Sequence, residues 1–149
     1  FFKDTPRNKS DRVLAALGQT GGMLGFSLYP PHLAHGADTT LEAFTGMVAR
    51  AAEIAGVQNL GIGSDMCRGW DGRTIDWMRN GRWRQVPEAE RAEFADMPWP
   101  SQPDWFRTPA DTSNLATGLR ARGFSAEEVD GLMGDNWARF LRDALEPEA

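Results

Sequence analysis

Two short apolar runs without a helical period, separated by an amphipathic helical pattern, predict an α/β fold built on a parallel sheet. The runs are Met23-Leu24-Gly25-Phe26-Ser27-Leu28-Tyr29 and Val57-Gln58-Asn59-Leu60-Gly61-Ile62, and the stretch between them is long enough to be the crossover that parallel strands require. Neither run alternates cleanly between apolar and polar, which is the pattern of strands covered by helices on both faces. The composition agrees: 41% hydrophobic and 25% charged residues is the balance of an ordinary folded protein, so disorder is not the expectation.

The elements follow in order. Ser10 and Asp11 ahead of Val13, Leu14 and Leu17 predict a capped helix that Gly21-Gly22 stops. Residues 23–29 are then a strand, ended by Pro30-Pro31. Thr39 and Glu42 have the spacing of a capping box, and Leu41, Phe44, Val48, Ala51 and Ala55 share one face of a helix ending at Gly56. Residues 57–62 make the second strand. Towards the C-terminus, Ser113 or Asn114 caps a helix from Leu115 to Arg122, and Ser125 with Glu128 is a second capping box ahead of Val129, Leu132 and Met133. Trp137, Phe140, Leu141 and Leu145 recur at helical spacing and predict a final helix docked on the body.

Residues 66–112 stand apart. They hold five of the six tryptophans, Trp70, Trp77, Trp83, Trp99 and Trp105, together with many Arg and Pro, and show little periodicity beyond a short helix at 74–78. So aromatic a segment is expected to fold, and long connections of this kind commonly carry function. It is expected to be an extended loop over one end of the sheet, acting as a lid or binding loop; plain packing or a subunit contact in a homo-oligomer is the alternative.

Several functions are disfavoured. Sixteen basic residues against 21 acidic give a net charge of −5 with no basic stripe, so nucleic acid is not an expected partner. No apolar run approaches the roughly 20 residues of a membrane span. The lone Cys67 cannot form an internal disulfide, which suits a reducing, cytoplasmic setting. The chain opens Phe1-Phe2-Lys3 without an initiator Met, so it is expected to be part of a longer polypeptide, upstream of which an export signal could lie.

Asp65 is the first chemical candidate. It ends Gly61-Ile62-Gly63-Ser64-Asp65, so its carboxylate would emerge at the carboxyl end of a parallel strand, where α/β proteins place their sites. There it can activate a water or bind a metal; the same position also suits a loop Asp that caps the next turn. Gly61-Ile62-Gly63 lacks the third glycine of a dinucleotide fingerprint, Met66 standing in its place. His32 and His35 lie just beyond the other strand and, with Asp65 and Cys67, could form a mixed-ligand zinc site; a solvent-facing loop is the simpler expectation. Arg7, between Pro6 and Asn8, can clamp a carboxylate through two parallel hydrogen bonds or serve as an ordinary surface Arg.

These segments together resemble a known family. Pro6-Arg7-Asn8, then Thr20 to Tyr29, then Val57 to Asp65, and finally Arg122-Gly123-Phe124-Ser125-Ala126-Glu127-Glu128 with Gly134-Asp135-Asn136-Trp137-Ala138-Arg139-Phe140, are similar to the C-terminal part of the membrane dipeptidase (renal dipeptidase) family. The resemblance implies a zinc-dependent (β/α)8 TIM barrel of the amidohydrolase type that hydrolyses dipeptides at two zinc ions. A full barrel needs about 250 residues, so this chain would supply its last two strands, with residues 66–112 over the catalytic face and residues 113–149 as C-terminal helices. By the same resemblance Asp65 is the catalytic aspartate, and Arg7 binds the terminal carboxylate of the dipeptide. The metal ligands would lie before Phe1, leaving this chain without metal ligands and inactive alone. One departure is plain: Met66-Cys67-Arg68-Gly69 stands where the family usually has an aromatic residue, Asp and Gly. A binding or assembly module on the same barrel, and a dimetal hydrolase of another amide, ester or lactone, are the competing readings.

Overall fold

In the computed structural model of the chain, which describes residues 3–5, 7–67, 69–81, 87 and 100–146, the first helix, α1 (Asp11–Thr20), forms as its sequence predicts. The Ser10 hydroxyl accepts from the Val13 amide at its start. Gly21, left-handed at φ 69°, closes its end with an N–H to the Leu17 carbonyl. Two compact units are formed, a body of Phe1–Met66 with Gln102–Ala149 and a smaller unit of Cys67–Ser101.

The body is built on a two-stranded parallel sheet. β1 (Leu24–Phe26) pairs with β2 (Leu60–Ile62) in the register Leu24 to Leu60, Gly25 to Gly61 and Phe26 to Ile62. Both strands are shorter than expected. Val57–Asn59 is a 3-10 turn rather than strand, because the buried Asn59 side chain donates back to the Ala55 carbonyl at 2.7 Å and keeps the segment coiled. Ladder bonds nevertheless continue past the strands: Gly63 N–H donates to Phe26 O at 3.0 Å and Leu28 N–H to Ser64 O at 3.1 Å.

Between the strands runs α2 (Leu41–Ala55). Its cap is Thr40, whose hydroxyl accepts from the Ala43 amide at 3.1 Å, and not Thr39. Thr39 is buried and its hydroxyl accepts instead from the His35 amide, so the capping box with Glu42 does not form. Phe44 of α2 meets Phe26 edge-on at 6.2 Å, and Leu14, Leu28, Val48 and Leu60 complete this part of the core. On the opposite strand face, where Gly25 and Gly61 sit, lies Trp137. A Cβ on Gly61 would come within 2.6 Å of its indole Cδ1, so this position accepts only glycine without a shift.

The end of the Trp-rich stretch belongs to the body. Phe106 is buried, and Trp105 packs on Phe44 at 5.2 Å while its indole N–H donates to Thr39 O at 2.7 Å. Within the smaller unit, α3 (Gly72–Asn80) contains the expected 74–78 helix and is capped by Asp71, whose carboxylate accepts from the Thr74 amide at 3.1 Å. Trp83 and Trp99 lie outside the described residues.

Three helices close the body. α4 (Thr112–Arg122) begins earlier than Ser113 or Asn114 would allow, since the Thr108 and Asp111 pair forms a capping box around a preceding 3-10 turn, Pro109–Asp111. α5 (Ala126–Asp130) has the predicted Ser125 and Glu128 box, with bonds of 3.2 and 2.8 Å. A widened turn, Gly131–Asp135, kinks at Gly134 and leads into α6 (Asn136–Leu145). Only the start of α6 docks. Asn136 is buried and its amide donates to Leu60 O at 2.8 Å and Val57 O at 2.9 Å, and Trp137 Nε1 donates to Ile62 O at 3.1 Å. Leu141 and Leu145 are 49% and 77% exposed, so the apolar spacing does not mark a fully packed face.

Candidate functional site

Because β1 and β2 are parallel, their carboxyl ends lie on one edge of the sheet, and the residues after each strand meet there. Ser27 follows β1; Ser64 and Asp65 follow β2. Asp65 has φ 56°, the one left-handed non-glycine among the described residues, a conformation that Asp tolerates better than most residues. Its carboxylate Oδ2 lies 3.5 Å from the Ser27 hydroxyl. That hydroxyl also accepts from the Tyr29 amide at 3.1 Å and lies 3.0 Å from His32 Nδ1.

His32 is placed by the 3-10 turn Pro30–His32, which the double proline pre-sets, and its ring stands edge-on to Tyr29 at 5.1 Å. Burial holds its pKa below the ordinary value. The Asp65 charge opposes that effect, whereas Arg7 and Lys3 reinforce it.

The segment before α1 is tied to the same turn. Asn8 Nδ2 donates to both Lys3 O and His32 O, at 3.0 and 3.1 Å, and Lys3 Nζ donates to Pro31 O at 2.9 Å. Arg7 is thereby brought to a cleft of about 270 Å³ that it shares with Asn8, Lys9, Ser27 and His32, over an apolar floor that includes Leu14, Phe26 and Met47. Asp65 is not part of the cleft wall; Ser27 connects it. The geometry so formed places a cationic group suited to a carboxylate in a cleft whose wall includes Ser27, the hydrogen-bond neighbour of an acidic group.

The local zinc set does not assemble. Among the described residues no group of three or more His, Cys, Asp or Glu side chains is placed to hold a metal ion. His35 is exposed, and the Nδ1 of His32 is engaged with Ser27. The described residues therefore do not by themselves fit a zinc centre. Nor, among them, is any helix long and apolar enough to cross a membrane.

Ser27 and Asn8 were not singled out by their sequence context. A small polar residue interrupting an apolar run at its carboxyl end was the available signal for Ser27. For Asn8 the signal is its place in the Pro6-Arg7-Asn8 segment.

The fold is shared with hydrolases of the amidohydrolase and metallopeptidase kinds, of which this mostly helical α/β chain matches a part. The chain is similar to an amidohydrolase from Pseudomonas aeruginosa, at 29% identity and a TM-score of 0.80, over 95% of this chain and 42% of that one. It is also similar to dipeptidase AC, a metallo peptidase of family M19, at 20% identity and TM-score 0.64, over 91% of this chain and 32% of that one. A metallo peptidase from Rhodobacter sphaeroides, liganded with a phosphinate mimic of the dipeptide L-Ala-D-Ala, matches at 20% identity and TM-score 0.63, over 91% of this chain and 31% of that one. The two peptidases share the fold alone at that identity. This chain spans less than half the length of each structure. No protein-family model matches it, and no curated protein does.

Proposed function

We propose that this chain is the C-terminal part of a zinc-dependent dipeptidase barrel and contributes two groups to its site, Arg7 and Asp65. The observation that carries the reading is the meeting of the two strand ends: Asp65 beside Ser27 on one edge, with Arg7 in the adjoining cleft. Arg7 pairs through its guanidinium with the free carboxylate of a dipeptide, fixing the substrate's register. Asp65 takes a proton from the attacking water as that water's oxygen bonds to the peptide carbonyl carbon, and delivers it to the leaving amine nitrogen as the C–N bond breaks. On this reading zinc is held by side chains that lie outside this chain.

The test is dipeptide hydrolysis by the polypeptide that carries this chain together with the rest of the barrel. Arg7→Met is expected to raise KM for dipeptides with a free C-terminal carboxylate and to leave C-terminally amidated ones little affected. A variant that treats both substrates alike would remove Arg7 from the substrate site. A second reading, hydrolysis of a different amide, is favoured by the 29% identity to an amidohydrolase. Turnover of acyl amides or lactones in preference to dipeptides would select it.

A further inference from the structure

We propose that Ser27 and His32 are positioning residues for Asp65, joined in one hydrogen-bonded chain from the His32 imidazole through the Ser27 hydroxyl to the Asp65 carboxylate. The proposal deepens the reading of Asp65 as the reacting carboxylate and rests on it for its functional meaning. Its structural content rests on proton bookkeeping at a single oxygen.

Ser27 Oγ has one proton and two lone pairs, and among the described residues it has three polar neighbours. The Tyr29 amide at 3.1 Å can only donate, so it takes one lone pair. Asp65 Oδ2 at 3.5 Å, as an ionised carboxylate, can only accept. His32 Nδ1 at 3.0 Å can do either, depending on its tautomer. If Ser27 donated to His32, two oxygens with no proton between them would face each other across the Asp65 contact. If instead His32 carries its proton on Nδ1 and donates to Ser27, the serine proton is released toward Asp65, and all three neighbours are satisfied. The arrangement that satisfies them therefore fixes the histidine as the Nδ1–H tautomer and aims the serine proton at Oδ2.

Two further features support a positioning role. Asp65 has a left-handed backbone, so the direction in which its side chain leaves the strand end is set by a turn that few other residues would adopt. His32 in turn is anchored through its own carbonyl by Asn8, the neighbour of Arg7, and its ring is braced by Tyr29. The chain of bonds thus links the substrate-side Arg7 segment to the acidic group on the next strand end. Such an arrangement holds a carboxylate in the orientation required for proton transfer, and misplacement by about 1 Å is worth up to about a hundredfold in rate.

The test reads the imidazole directly and requires no turnover. In the 15N spectrum of this chain at about pH 8, where an ordinary histidine is neutral, His32 should show the Nδ1–H tautomer. His35→Gln identifies which signal is which. Ser27→Ala and Asp65→Asn should each shift the His32 nitrogens, and Ser27→Thr, which keeps the hydroxyl, should restore the parent pattern. The backbone amide spectrum of each variant confirms that it is folded. An Nε2–H tautomer for His32 would overturn the proposal, as would a His32 signal indifferent to Asp65→Asn. In the barrel polypeptide, Ser27→Ala should lower kcat up to about a hundredfold with KM held within about twofold. Loss expressed in KM alone would contradict positioning. If the His32 signals respond as expected but Asp65→Asn leaves turnover intact, the bonded chain stands and the catalytic reading of Asp65 fails.

Discussion

Replacing Asn136 by Ala removes one side chain and two hydrogen bonds to backbone carbonyls, of which Val57 O keeps the Leu60 N–H, and this makes its cost calculable. The Asn136 amide donates to Leu60 O at 2.8 Å in a buried setting and to Val57 O at 2.9 Å in a half-buried one. Leaving a buried acceptor without a partner costs about 1–3 kcal/mol, and losing a bond that water can replace costs about 1 kcal/mol. The sum is about 2–4 kcal/mol. With a urea slope of about 2 kcal/mol/M for a protein of this size, the unfolding midpoint followed by far-UV circular dichroism should fall by about 1–2 M. Arg139→Ala is the control. Its guanidinium also donates to a carbonyl of the same segment, Gln58 O, but in an exposed place, so its effect should stay within about 0.5 kcal/mol. An Asn136→Ala midpoint within about 0.25 M of the parent, or one equal to Arg139→Ala, would refute the argument that burial decides the cost. The point bears on function, because Asn136 and Trp137 fix the strand from whose end Asp65 emerges.

Other outcomes follow from the same geometry. Gly61→Ala places a methyl 2.6 Å from Cδ1 of the Trp137 ring and should destabilise the body by about 1–3 kcal/mol in the same urea assay, with Trp137→Leu in the same chain recovering part of the loss. The His32 pKa is lowered by burial, opposed by Asp65 and aided by Arg7 and Lys3. The unfolded state therefore binds more protons below the ordinary histidine value, so stability contributed by neutral His32 is present above about pH 6.5 and is lost as pH falls through the depressed value. His32→Gln should flatten that slope in pH-dependent thermal unfolding, and an unchanged slope would remove His32 as its source. This chain alone should retain no stoichiometric zinc after dialysis, measured by elemental analysis. Tight one-to-one zinc abolished by His32→Ala would instead establish a local site.

Local signals were the most legible. Ser10, the Ser125 and Glu128 pair, and the glycines at 21, 56 and 123 act over a few residues, and the helices they bound are where the sequence puts them. Failures came where a distant contact overruled a local one. Thr39 looked like a cap but is occupied by the His35 amide, leaving the role to Thr40. Residues 57–59 looked like strand but coil around the Asn59 bond to α2. Apolar spacing in α6 suggests a buried face, yet the helix is held by the hydrogen-bonding side chains of its first turn, Asn136, Trp137 and Arg139. Trp105 and Phe106 fall within the Trp-rich segment by sequence, but they pack on the core beside Phe44. Asp65 was visible as a site candidate because strand ends are a general location for chemistry, and Arg7 because of its neighbours. Ser27 is harder to read, since its side-chain contacts are with His32 and Asp65, five and 38 residues away.

The most direct test of the central claim is the steady-state hydrolysis of dipeptides by the barrel polypeptide carrying this chain, with Asp65 intact and as Asp65→Asn. The account predicts turnover in the parent and a fall in kcat of about 10²–10⁴-fold in the variant, with its fold and metal content preserved. A parent without dipeptide hydrolysis, or an Asp65→Asn protein that turns over as fast as the parent, would contradict it.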